Sequence, residues 1–423
     1  MTAPVDWAAL DARYVWHPYT QHAIAPLPVP VVRGEGARLH TADGRVLLDA
    51  ISSWWVTLHG HSHPAIAAAI AEQAATLDQV IFAGCTHEPA ARLAAGLVEV
   101  LPPGLTRVFF SDDGSTAVEV AVKAALQFWR NRGEPRPLIA AIEHAYHGDT
   151  FGAMSVSARS TFTDPFADRL WDVERLPDPT EGDTVAALRA LIDQRGAELA
   201  AVIVEPLLLG AGGMRMWPEH TLRALAECCG KAHVLLIADE VLTGFGRTGP
   251  LFACSRAGVA PDIMCLSKGL TGGALPLGAT VTTERIFEGF RSQDRRQTFF
   301  HGHSYTANPV ACAAGRASLA LLDAESAKRR ETIESAHRDH LARLASHPRV
   351  RRTRVLGTVA AFDVDGEEGY LSAVGGELSA FALRNGVLLR PLGNVVYVLP
   401  PFCTTADDLA VIYRVIERFL EWR

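Results

Sequence analysis

Short, uninterrupted apolar runs alternate with Ala-rich stretches of helical spacing along this chain, and that alternation narrows the possible folds more than any other feature. Runs at 107–111, 138–142, 201–204, 234–238, 263–267 and 279–282 lack the strict apolar–polar alternation of a strand with one wet face. Strands of this kind are buried on both faces, in a mostly parallel sheet covered by helices. The intervening segments suit the covering layers. PAIAAAIAEQAATL (64–77) reads as an amphipathic helix opened by proline, and a helix over 117–129 sets Val118, Val122, Ala125 and Trp129 on one face. A chain of 423 residues exceeds one compact core. A large α/β domain is expected over 55–321. A long helical stretch over about 308–345 leads out of it. A smaller α+β domain then forms from both termini, 1–54 with strands near 31–49, and 322–423 closing in a helix over 406–422.

Charge and cysteine usage exclude several functions. The formal net charge is -7, which does not favour nucleic acid or an anionic membrane. The one basic run, 349–354, reads as a solvated loop before a strand. No stretch of roughly 20 apolar residues is present, so no membrane span is expected. The N-terminal MTAPVDWAALDARY has no basic segment followed by an apolar one, so no signal peptide is expected. The seven cysteines are odd in number and form no C-x-x-C pair, which points to reduced thiols, a cytoplasmic setting and no structural zinc. Cys228 and Cys229 fall in a helical pattern and read as packing.

In a parallel sheet, ligands bind beyond the carboxyl ends of the strands, and three polar clusters fall there. The first is FFSDDGST (109–116), where Gly114 permits close backbone approach and Ser115 and Thr116 offer hydroxyls and helix N-terminal amides, a setting that attracts phosphate. The same residues also serve as an ordinary helix cap. The second ends LLIADEV (235–241) with Asp239, a carboxylate able to hold a ring nitrogen protonated or simply to cap the next turn. In the third, CLSKGLTGG (265–273), Lys268 follows a buried run and precedes glycines, a position for an amine nucleophile or for an ordinary loop lysine. Each cluster alone is ambiguous. Together they supply a phosphate anchor, an acid partner for a pyridine nitrogen and an amine, the three needs of pyridoxal phosphate (PLP).

At this point the chain resembles the class III aminotransferases of PLP fold type I. The matching segments are AYHGDT (145–150), VIVEP (202–206), LLIADEVLTGFGRTG (235–249), PDIMCLSKGLTGG (261–273) and HGHSYTANPVACAAG (301–315), in order and nearly end to end. WHPYTQ (16–21), SSWWVTLHGHSHP (52–64), GAGGMRMW (210–217) and RPLGNVVYVLPPF (390–402) are similar to those members that act in biotin biosynthesis. The resemblance implies a ping-pong reaction that converts 8-amino-7-oxononanoate to 7,8-diaminononanoate, with S-adenosylmethionine as amino donor, or lysine as in a variant within the family. It implies that Lys268 carries the cofactor and shuttles the proton, that Asp239 pairs with the ring nitrogen, and that Gly114 and Ser115 hold the phosphate. Tyr146 would border ring and substrate, Tyr19 and Trp54 would wall the polymethylene chain, and Arg390 would hold the far carboxylate. It also implies a homodimer with shared active sites, in which Gly302, His303 and Ser304 of the partner touch phosphate and substrate.

The sequence departs from the family pattern at two places. His303 and Ser304 stand where proline and threonine are expected, so the loop gains a titratable ring and a backbone N–H. In Ser111-Asp112-Asp113 there is an acid where a small residue is expected, with no role evident from the sequence. Two motifs are set aside. Gly244–Gly249 fits G-x-G-x-x-G, but no strand directly precedes it and Pro250 stands where a helix should open. His59, His61 and His63 alternate without a carboxylate or cysteine partner and suit a polar loop better than a metal site.

Overall fold

The apolar runs assemble into one seven-stranded sheet because successive residues in them pack against opposite covering layers. The structure is a computed structural model and describes residues 6–422; residues 1–5, which open the N-terminal stretch considered above, and residue 423 lie outside the described residues. The chain begins with α1 (Trp7–Tyr14) and three strands, β1 (Val31–Glu35), β2 (Arg38–Thr41) and β3 (Val46–Asp49). Next come α2 (Pro64–Thr76), β4 (Leu105–Ser111), α3 (Gly114–Asn131), β5 (Leu138–Ile142), β6 (Glu174–Leu176) and β7 (Leu199–Val204). The large sheet is completed after α4 (Glu219–Ala232) by β8 (Leu235–Asp239), β9 (Ile263–Leu266) and β10 (Gly278–Thr283). Its order is β4-β10-β9-β8-β7-β5-β6. All neighbouring pairs are parallel except those of β10, which runs against both β9 and β4.

Ile139, Ala141, Leu235, Ile237, Ile263 and Cys265 face the layer containing α3. Their neighbours Ala140, Ile142, Leu236, Ala238, Met264 and Leu266 face the opposite core. Both sets are buried, so the pleat is hidden in an all-apolar run. A third core draws Leu48, Ile51 and Trp55 from the N-terminal strands and Ile333, Leu341, Phe362, Tyr413 and Phe419 from the C-terminal region. Here β1, β2 and β3 form a sheet with β13 (Val387–Leu388), while β11 (Val350–Leu356), β12 (Val359–Val364) and β14 (Val395–Val398) form another. The closing helix spans Ala406–Trp422.

Three sequence expectations need correction. The long helical stretch over 308–345 is two helices, α5 (Pro309–Ala320) and α6 (Ala324–Leu344). Asp323 breaks it, because its carboxylate accepts from the Ser326 amide and starts the second helix. The basic run at 349–354 is not a loop but most of β11. Its charge is anchored: Arg354 Nη1 lies 2.8 Å from Asp363 Oδ1, and Arg352 Nε 2.5 Å from Asp363 Oδ2. Finally, the helix placed at 117 begins at Gly114. Asp113 is its N-cap, accepting from the Thr116 amide at 2.8 Å while its own N–H donates to Thr116 Oγ1 at 2.9 Å. This reciprocal pair gives the unexplained acid a role. The seven cysteines are all free, and Cys228 and Cys229 are buried in packing as expected. Among the described residues no helix is long and apolar enough to cross a membrane.

Candidate active site

Five strand ends open onto one cavity of about 700 Å³. Gly114 and Ser115 follow β4, Tyr146 and His147 follow β5, Glu205 follows β7, Asp239 ends β8, and Lys268 lies just after β9; all of them line the cavity. Parallel strands carry their carboxyl ends to one edge, which is why residues so distant in sequence converge.

Lys268 is mostly enclosed, and its remaining exposure is to the cavity. Burial pushes the pKa of its amine down, opposed by Asp239 and Glu205. The amine makes no hydrogen bond or ion pair with the described residues, and Nζ lies 5.3 Å from the centre of the Trp55 ring. Its backbone φ is 43°, and Tyr19, Ser52, Ser53 and Trp55 around the same region also have positive φ. Such conformations each cost about 1–3 kcal/mol for non-glycine residues and gather at functional sites.

The cradle at the start of α3 follows from helix geometry. The first four N–H groups of a helix have no partner within it. Thr116 donates to the Asp113 side chain and Ala117 to the Asp113 carbonyl. The amides of Gly114 and Ser115 are thus left for a ligand, at the positive end of an 18-residue helix. A Cβ on Gly114 would stand 2.7 Å from Val241 Cγ1, so only glycine lets this turn approach the end of β8. The Ser115 hydroxyl pairs with Thr150 Oγ1 at 2.8 Å and accepts from the Thr150 amide.

Asp239 is buried beside a histidine that sequence reasoning missed. His147 Nδ1 lies 2.6 Å from Asp239 Oδ2, and the Val241 amide donates to Oδ1 at 3.0 Å. An ionised carboxylate only accepts, so the proton of this bond sits on Nδ1. Glu205 was also missed; it is buried and accepts from the Tyr146 amide at 2.8 Å and the Gly210 amide at 3.0 Å. Both lie within the recognised segments AYHGDT and VIVEP. A polar residue directly after a buried apolar run was the signal available for Glu205.

Of the residues expected to hold substrate, Tyr146 lines the cavity, and Tyr19, Trp54 and Arg390 cluster together, joined to it through the Tyr19 hydroxyl. The rings of Tyr19 and Trp54 are 5.5 Å apart, edge to face, and the Arg390 guanidinium stands 4.7 Å over the Trp54 ring. The Tyr19 hydroxyl donates to Asp149 Oδ2 at 2.6 Å and is 3.4 Å from the Tyr146 hydroxyl. Burial, with Asp149 adding, pushes the Tyr19 pKa up to about 12, so it acts as a neutral donor. The adjacent tryptophans divide their work. Trp55 is 5% exposed and bonds Tyr397 through Nε1, whereas Trp54 is 39% exposed.

Gly302, His303 and Ser304 do not line this cavity. Gly302 and His303 border a separate hollow with Lys123 and Phe299, and the Ser304 carbonyl accepts from Gln79 Nε2 at 2.6 Å. The N–H that a proline would lack at His303 donates to Thr306 Oγ1 at 2.9 Å, and His303 Nδ1 lies 3.5 Å from Asp112 Oδ2. The segment Gly244–Gly249 is a turn rather than a helix start. It presents buried Arg247 to the carbonyls of Pro400, Trp55 and Thr57. His59 and His61 bond Ser318 and Asp49, separate partners on separate elements.

The family description "Aminotransferase class-III" matches residues 19–420. The chain is 55% identical to the adenosylmethionine-8-amino-7-oxononanoate aminotransferase of Synechococcus elongatus, over 96% of this chain and 98% of that protein. In structure it is similar to the adenosylmethionine-8-amino-7-oxononanoate aminotransferase of Methanocaldococcus jannaschii, with a TM-score of 0.94, 33% identity and 98% of each chain covered. It is also similar to the omega transaminase of Pseudomonas jessenii in complex with PMP, with a TM-score of 0.92, 26% identity and 99% of each chain covered.

Proposed function

We propose that this chain, which belongs to the class-III aminotransferase family, uses PLP to transfer an amino group from S-adenosylmethionine to 8-amino-7-oxononanoate, forming 7,8-diaminononanoate in biotin biosynthesis. The observation that carries the reading is the convergence, in one cavity, of Lys268, buried Asp239 and the two unpartnered amides of Gly114 and Ser115. That donor set fits the group: amides at a helix N-terminus for a phosphate, a buried carboxylate for a protonated ring nitrogen, and an amine of lowered pKa for a carbonyl carbon. When bound, PLP supplies that carbonyl and an electron-withdrawing ring.

The protein's residues then have distinct tasks. Lys268 Nζ, kept neutral more easily by burial, takes the proton from the substrate carbon and returns it, a job that needs hydrogen-bond reach of about 3 Å. Asp239, fixed by hydrogen bonds from His147 and the Val241 amide, pairs with the ring nitrogen. Gly114 and Ser115 fix the phosphate end, and Tyr146 borders the reacting centre. Tyr19 and Trp54 form an apolar wall for a long alkyl chain, where each buried CH₂ contributes about 0.8 kcal/mol. Arg390, held over Trp54, receives the far carboxylate as a two-pronged donor. In this reading the protein is a cytoplasmic homodimer, and Gly302, His303 and Ser304 complete the other subunit's site.

Arg390→Ala tests the carboxylate assignment. Charge-assisted hydrogen bonds are worth about 1.5–3 kcal/mol. The KM for the keto acid is expected to rise about ten- to hundredfold, with kcat changed far less. An unchanged KM in a steady-state assay places the carboxylate elsewhere. The reaction itself is tested by product formation from 8-amino-7-oxononanoate with S-adenosylmethionine, lysine, alanine or an ω-amine offered singly. Diaminononanoate from S-adenosylmethionine supports the reading, and from lysine alone it changes the donor. Rapid use of alanine or ω-amines, with no response to the keto acid, leaves a general aminotransferase.

A further inference from the structure

Glu205 has no part in the scheme above, yet its carboxyl lies in the same cavity as Lys268. It stands one residue beyond Val204, which pairs with Ala238, so Glu205 and Asp239 lie side by side at the ends of parallel strands roughly 5 Å apart. Two carboxyls in one water-poor site cannot ionise equally, and their partners decide which yields. Asp239 has His147 Nδ1 and an amide; Glu205 has two backbone amides and no side-chain cation. Burial pushes the Glu205 pKa up to about 7, with Asp239 adding to the effect and His147 opposing it. The charged groups that face Glu205 are Asp239 on β8, His147 after β5 and Lys268 after β9, and Lys268 is faced in turn by Asp239, Glu205 and Arg247.

The two amides that Glu205 holds are those of Tyr146 and Gly210. Gly210 follows the short strand Leu208–Leu209, which comes after Leu207 at φ 65°, and opens the next turn, its carbonyl accepting from the Gly213 and Met214 amides. The carboxyl therefore ties the segment carrying the Tyr146 ring to the end of that strand.

We infer that Glu205 is a positioning residue for the reaction: it clamps Tyr146 and the Leu207–Gly210 segment, and by taking up or releasing one proton it sets the charge that the Lys268 amine faces. The inference rests on the proposed role of Lys268. Its failure is nonetheless separable, because the test reads the amine directly rather than the transfer of an amino group.

The full chain, freed of cofactor, is treated with trace acetic anhydride across a range of pH, and acetylation of Lys268 is followed by peptide mass. The rate tracks the neutral fraction of the amine. In the unmodified protein the Lys268 curve is expected to depart from a one-group titration, with an inflection near neutral pH where Glu205 ionises. In Glu205→Gln the inflection disappears and the Lys268 midpoint falls by about one pH unit, because a nearby negative charge has been removed. Glu205→Asp keeps the charge and keeps the inflection. A one-group curve in the unmodified protein overturns the inference, as does an unmoved midpoint in a Glu205→Gln protein with unchanged circular dichroism. A coupled curve in a chain that transfers no amino group would sink the functional reading alone.

Discussion

Lys268→Ala is expected to lower kcat by about 10⁴-fold while the protein remains folded. A positioned proton-transfer group contributes roughly 10²–10⁴-fold, and this amine also serves as the nucleophile, so the upper end applies. The side chain it loses is an enclosed amine with no hydrogen-bond or ion-pair partner among the described residues, and burial already disfavours its charged form. Removing it relieves a desolvation cost rather than breaking a contact. Thermal unfolding followed by circular dichroism checks the fold, and single-turnover kinetics checks the rate. Added methylamine is expected to restore part of the activity, because a small amine can enter the space left beside Trp55. A variant within tenfold of the unaltered rate would remove Lys268 from the chemistry.

Asp239→Asn is expected to cost about 10²–10⁴-fold in kcat, from the roughly 3–5 kcal/mol lost when one partner of a buried charge pair is removed. Asparagine keeps the shape and can still accept from His147 Nδ1, but its NH2 then faces the Val241 amide, so the effect combines the lost charge with one lost acceptor. The phosphate cradle at Gly114 and Ser115 is untouched, so cofactor content measured by absorbance should fall little while kcat falls greatly. A fall in cofactor content that accounts for the whole loss would make Asp239 an anchor rather than an electronic partner.

The sites that were legible in the sequence share one trait. Asp239 and Lys268 each stand where a buried apolar run stops, and a run buried on both faces is conspicuous because no polar residue interrupts it. Edge and surface elements lack that trait. β6 is only three residues long at the sheet edge, and β11 carries arginines at 351, 352 and 354 in place of an apolar run, so neither reads as a strand. The break between α5 and α6 hinges on one cap, Asp323, inside an otherwise helical pattern. His147 and Glu205 were missed for a different reason. Their tasks are defined by Asp239, Tyr146 and Gly210, which reach them through strand order rather than sequence proximity. Asp113 was visible as an unexpected acid but acquired meaning only once the helix was seen to begin at Gly114. The loop at Gly302–Ser304 lies apart from the cavity, so within this chain it does not meet the residues it was expected to join.

The central claim is that Lys268 is the amine to which the cofactor is bound. Borohydride reduction of the holoenzyme, followed by proteolysis and mass mapping, tests it most directly, since reduction fixes the cofactor to whichever amine holds it. The predicted result is a single labelled peptide spanning 261–273 with the added mass on Lys268, and no label in Lys268→Ala. A label on another lysine, or none at all in a protein that still transfers amino groups, would contradict the account.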